Sequence, residues 1–201
     1  KSYQEKKQYG FDYLSYENII SPAFVYNQSK VNNSCNSGST IANALEVLKE
    51  LGANNWKDFP YSDTQCSNLP TEELLIKAAQ NKIKEYFQVG IPDSNTDVNY
   101  TLINLIRTLI SEENPIVVSL DWQDLIFETL IDETIATSFS QNPTDECGHA
   151  VLIVGYDDRI NAFKFVNSLG TSFGNEGYGW ISYDFFLPIV DIDFQEGLTG
   201  A

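Results

Sequence analysis

His149 is the only histidine among the 201 residues, and it opens the apolar run Ala150–Val154 that Gly155 closes. A short apolar run bounded by glycine and turn residues predicts a buried strand. A second run, "AFKFVN", ends at Asn167, and "DDRINA" between the two reads as a turn. If the runs pair as an antiparallel hairpin, His149 and Asn167 both lie near its open end and become close neighbours. An amide oxygen that accepts a hydrogen bond from one imidazole nitrogen fixes the ring's tautomer. The other nitrogen can then act on a nucleophile, which is the base-plus-orienting-group arrangement of nucleophilic catalysis. The plainer alternatives are a structural histidine at a strand end and an asparagine that only starts the turn "SLG".

Other chemistry-bearing residues give weaker patterns. Ser168 and Thr171 are not in a strand-to-helix elbow, so neither reads as a nucleophile. Asp145, Glu146, Asp157 and Asp158 lack the spacing of a calcium loop and read as solvated loops, so no metal site is expected. Cys147, two residues before His149, shares its side if the strand extends that far, and reads as a half-buried cysteine.

The elements that must position these residues are legible. "SPAFVYNQ" has Ser then Pro at a helix start. In "STIANALEVLKELGA", Ser39 or Thr40 can cap a helix whose apolar face is Ile41, Ala44, Leu45, Leu48 and Leu51, with Gly52 as its stop. "FPYSDTQCSNLPTEE" reads as loop and "KIKEYFQVGI" as a possible strand. "DVNYTLINLIRTLISEENP" predicts an amphipathic helix ending before Pro115. Beyond it, "IVVSL", "HAVLIVGY", "FKFVNS" and "GYGWISY" are β-branched or aromatic runs between glycines. Helices first and strands second imply an α+β fold of two lobes.

Composition bounds the function. Hydrophobic residues at 42% indicate a globular chain, and a net charge of −16 argues against nucleic acid and anionic membranes as partners. No apolar run approaches the roughly 20 residues of a membrane span. The absence of methionine and the start at Lys1 read as a processed or cut form.

"GHAVLIVGYDD" followed by "FKFVNSLGTSFGNEGYGWISYDFF" resembles the papain-like cysteine peptidases. Upstream, "CNSGS" is similar to that family's Cys-Asn-Gly-Gly loop, "FPYSDTQC" to its Pro-Tyr loop, and "SPAFVYNQ" with "ALEVLKELG" to its bacterial branch. The resemblance implies a papain-like fold, with a helical lobe over residues 1–79 and an antiparallel β-rich lobe over 80–201. It implies His149 as general base and acid, Asn167 as its orienting partner, and no cofactor. It also implies Gly38, Gly148, Ala150 and Leu169 as binding positions for an extended peptide or protein substrate, with Gly38 offering its backbone and Ala150 lining the pocket for the side chain two before the cut. Leu169 and Phe173 stand where the family has tryptophans, so cover over the Asn–His bond is expected to be thinner.

The family's nucleophile segment, Gln-Gly-x-Cys-Gly-Ser-Cys-Trp, has no counterpart here. "KSYQEKKQYG" looks like the latter half of the helix that follows it, which places the expected cysteine upstream of Lys1. The resemblance also leaves Cys35 and Cys66 without their usual mates, so they could pair with each other, as in a secreted or cell-surface protein. The opposing expectation is a catalytically inactive papain-like domain that binds peptides or proteins, or builds part of a larger surface protein.

Overall fold

A computed structural model describes residues 17–89, 98–121, 125–130, 133–139, 148–189 and 196–199. The chain divides into two compact units, one reaching Tyr86 and one running from Phe87 to Leu198. Residues just past Ala79 stay with the first unit for a physical reason. Ile83 N–H donates to Leu48 O, Tyr86 Oη donates to Glu46, and the Lys49 ammonium lies 5.6 Å from the Tyr86 ring centre.

In the first unit, α1 spans Pro22–Ser29. Ser21 caps it by accepting from Phe24 N–H, and Pro22 costs nothing at a position whose amide would have no helical partner. Helix α2, Ile41–Glu50, is capped by Thr40 and buries Leu45. It stops at Gly52 with φ +80, where a Cβ would lie 1.9 Å from Ala78 O. A third helix, α3 (Glu72–Ala78), capped by Thr71, begins inside the stretch read as loop up to Glu73. Among the described residues, Ala23, Phe24, Ala53, Phe59 and Ala78 form a buried cluster in this unit, with Phe24 edge-on to Phe59 at 5.6 Å.

The strands are β1 Glu85–Gln88, β2 Ile116–Asp121, β3 Leu125–Leu130, β4 Glu133–Phe139, β5 Gly148–Asp157, β6 Ala162–Val166, β7 Tyr178–Ser182 and β8 Glu196–Thr199. They form one sheet in the order β1-β8-β2-β5-β6-β7-β4-β3. Neighbours in the second unit are antiparallel except β4 and β7, which run parallel. Helix α4, Val98–Ser111, lays Leu102 and Ile106 on the buried sheet face formed by Ile116, Val118, Leu120, Val151, Ile153, Phe163, Phe165 and Ile181. A short α5, Tyr183–Ile189, adds Phe186 to the same core. The two apolar strands "IVVSL" and "HAVLIVGY" are antiparallel neighbours.

Candidate active site

His149 takes its place from two neighbouring strands. β2 and β5 pair in the register Ile116↔Ile153, Val118↔Val151, Leu120↔His149. Side chains alternate along a strand, so His149 shares the buried face with Val151 and Ile153, at the end of β5 where that face approaches solvent. The ring is half-buried.

β5 and β6 form the expected hairpin, with an irregularity. From the turn outward the pairs are Asp157↔Ala162, Tyr156↔Phe163 and Gly155↔Lys164, then Ile153↔Phe165 and Leu152↔Val166. Val154 is skipped, a β-bulge that leaves it 36% exposed. One further step puts Asn167 opposite Val151, on the face that carries His149. The two are therefore diagonal neighbours rather than directly opposed. An unbroken register from Gly155↔Lys164 would have put Asn167 opposite Leu152, on the other face.

The resulting contact is short: His149 Nε2 lies 2.9 Å from Asn167 Oδ1. The same Oδ1 accepts the backbone N–H of Ser168 at 2.7 Å, so that atom must be the amide oxygen. Nε2 therefore carries the proton and donates, and Nδ1 is the basic nitrogen of the ring. Asn167 is held by its own N–H, which donates to Gly177 O at 3.0 Å. Its side chain is 8% exposed, and Nδ2 is buried with no hydrogen-bond partner among the described residues. Such an orphaned donor costs about 1–3 kcal/mol, a cost that the oxygen's two bonds offset.

The cover over this pair differs from a tryptophan lid. Leu169 is 56% exposed, with its side chain in solvent. Phe173 packs on Phe165 with ring centres 6.0 Å apart, and Gly179 makes room for both. A Cβ there would lie 2.6 Å from the Phe165 ring.

Gly148 and Ala150 are exposed at the same end of β5. Alternation turns Ala150 to the face opposite His149, where Ser119 is its cross-strand partner. Gly38 belongs to the first unit and is exposed in the segment after Cys35. Cys35 and Cys66 are joined by a disulfide, with Cα atoms 5.4 Å apart. Cys147, Asp145, Glu146 and the segment "KSYQEKKQYG" lie outside the described residues. Sequence reasoning missed the Ser168 amide and the Gly177 carbonyl that fix Asn167. Backbone groups leave no residue-type signal.

The chain as a whole matches a known family. The family described as "Papain family cysteine protease" matches residues 6–186, and the chain belongs to it. A cysteine protease of Blomia tropicalis is 25% identical over 183 residues, which cover 89% of this chain and 50% of that relative. The chain thus spans about half the length of this curated relative. Among solved structures, xylellain, a cysteine protease from Xylella fastidiosa, is 26% identical with a TM-score of 0.71, covering 90% of this chain and 70% of its own. Digestive procathepsin L2 from Tenebrio molitor larval midgut shares the fold at a TM-score of 0.65 and 17% identity, over 98% of this chain and 57% of that one.

Proposed function

We propose that this chain supplies the base, its orienting group and part of the peptide-binding edge of a cysteine endopeptidase, whose nucleophilic thiol is contributed from upstream of Lys1. The observation that carries this reading is the Nε2–H···Oδ1 bond of 2.9 Å, with the amide oriented by Ser168. In the reaction, the thiol proton passes to His149 Nδ1 and the thiolate attacks the scissile carbonyl. The amine leaves with the proton from Nδ1, and water then hydrolyses the thioester, with His149 as base again. Asn167 holds the ring in one tautomer throughout.

The Cys35–Cys66 bridge supports export of the protein to an oxidising compartment or the cell surface. The exposed Leu169 favours a second reading, a papain-like domain that binds peptides without cleaving them. Full-length protein tested against a quenched-fluorescence peptide library separates the two. Cleavage, labelling by an epoxide-type thiol reagent, and loss of cleavage by about 10²-fold or more in His149→Ala are expected for the enzyme. Peptide retention without cleavage or label would establish the binding domain instead.

A further inference from the structure

Gly38 is a glycine that the fold does not require. Its φ is not among the positive ones, and a Cβ built on it meets nothing within 4 Å. Its carbonyl accepts Val31 N–H at 3.0 Å, while its own N–H has no acceptor among the described residues. A bare backbone facing open space is what an incoming extended chain needs for close approach. The value of that edge depends on what holds the segment still.

The segment's internal fastenings are polar. Residues Val31–Asn36 are exposed and include no buried apolar anchor. Ser37 N–H donates to Ser34 O at 3.2 Å, Ser37 Oγ accepts Asn32 N–H, and Ser39 Oγ donates to Ser29. Asn32 Oδ1 accepts Ser34 N–H and Ser34 Oγ accepts Asn36 N–H, and a fastening from outside the segment comes from α1. Tyr26 Oη faces the carbonyl oxygens of Cys35 at 2.9 Å and Ser37 at 2.6 Å, and one phenolic proton serves both acceptors. The second of these oxygens belongs to the peptide group that carries the Gly38 N–H. Tyr26 therefore sets the plane of the peptide whose N–H a substrate would meet. The disulfide pins the same stretch from the other side, to a loop that Asn27 and Lys30 hold through the carbonyls of Gln65, Cys66 and Asn68.

We infer that Tyr26 is a positioning residue for peptide binding, acting through the Ser37–Gly38 peptide group. This inference rests on the peptidase reading above. It assigns to a helix hydroxyl a role in substrate affinity and none in bond cleavage.

Tyr26→Phe removes the hydroxyl and keeps the ring, and its melting curve shows whether the unit still folds. In full-length protein the variant should raise KM about three- to tenfold, the effect of losing one hydrogen bond. It should leave kcat and the pH profile unchanged, because His149 and Asn167 are untouched. Hydrogen exchange at Val31 N–H, whose acceptor is Gly38 O, should speed by a similar factor in the same variant. Val31 exchange and KM both equal to wild type would overturn the inference. Faster exchange with an unchanged KM would overturn it too, since the segment would be loosened without consequence for substrate. A fall in kcat with KM unchanged would likewise sink it. Failure of wild-type protein to cleave any peptide strikes the peptidase reading itself and is distinct from all three.

Discussion

Asn167 does its work through one atom. Oδ1 accepts from both His149 and Ser168, so the amide cannot rotate without breaking two bonds, and the imidazole cannot flip without losing one. Because His149 is the sole histidine, its ring protons are uncrowded in an NMR spectrum. A slowly exchanging Nε2–H signal is expected in the wild-type chain. Asn167→Ala should remove it and, if the protein is the peptidase proposed above, lower kcat at least about tenfold, part of the 10²–10⁴-fold that a positioned base supplies. Persistence of the signal in that variant would show that another group holds the ring. Asp157 shows the same local logic away from the site. Its bonds to the Arg159 side chain and backbone lower its pKa to about 2, so it stays ionised in mild acid.

The bulge in β5 decides which face Asn167 occupies. Ile153 and Phe165 are both fully buried and directly paired, and a slip of one residue would turn one of them to the opposite face. Their burial fixes the register on the far side of the bulge, and Val154 absorbs the spare residue. Deleting Val154 should therefore keep Ile153↔Phe165 and leave the His149–Asn167 bond in place. Inserting one residue between Val166 and Asn167 should break it. Loss of the Nε2–H signal on deleting Val154 would show that the bulge itself, and not only the register it preserves, is needed for the bond. The turn has its own fastening: Asp158 accepts from Arg107 on α4 and from Tyr183 at the start of α5. Burial and the neighbouring Asp158 push the Tyr183 phenol well above its usual value, so it stays protonated and donating at any working pH.

At the scale of the whole molecule, the buried apolar clusters seen among the described residues differ between the two units. Among the described residues, the second unit's buried cluster includes Phe163, Phe165, Phe186 and Ile106. The first unit's is three alanines and two phenylalanines. The first unit also carries a covalent fastening, the Cys35–Cys66 bridge, which spans a sequence separation of 31. By the loop-entropy argument, a bridge of that span contributes about 3–4 kcal/mol. Replacing both cysteines by serine, or reducing the bridge, should lower the first unit's stability by roughly that amount. Amide exchange in α1 and α2 should speed accordingly, while β2, β5 and β6 stay protected. Equal loss of protection in both units would mean that they unfold together. The net charge of −16 is a further destabilising load through self-repulsion.

The sequence alone determined the features whose causes lie within a few residues of their effects. Helix α1 follows from Ser21 and Pro22, α2 from Thr40 and its apolar face, and the hairpin from two apolar runs around "DDRINA". His149 and Asn167 stood out as a pair for the same reason, and the family resemblance with them. The short α3, the β3–β4 hairpin and the parallel pairing of β4 with β7 were not legible. Two turns of helix carry little periodicity, and strand partners distant in sequence leave no local trace. Only the tertiary structure decided that Val154 is skipped, that Ala150 turns away from His149, that Leu169 points to solvent, and that Tyr26 reaches Ser37. Each of these depends on which side chains find burial together across the sheet or between helix and loop. A shift of one residue reverses a strand's faces, and nothing within the strand itself opposes that shift.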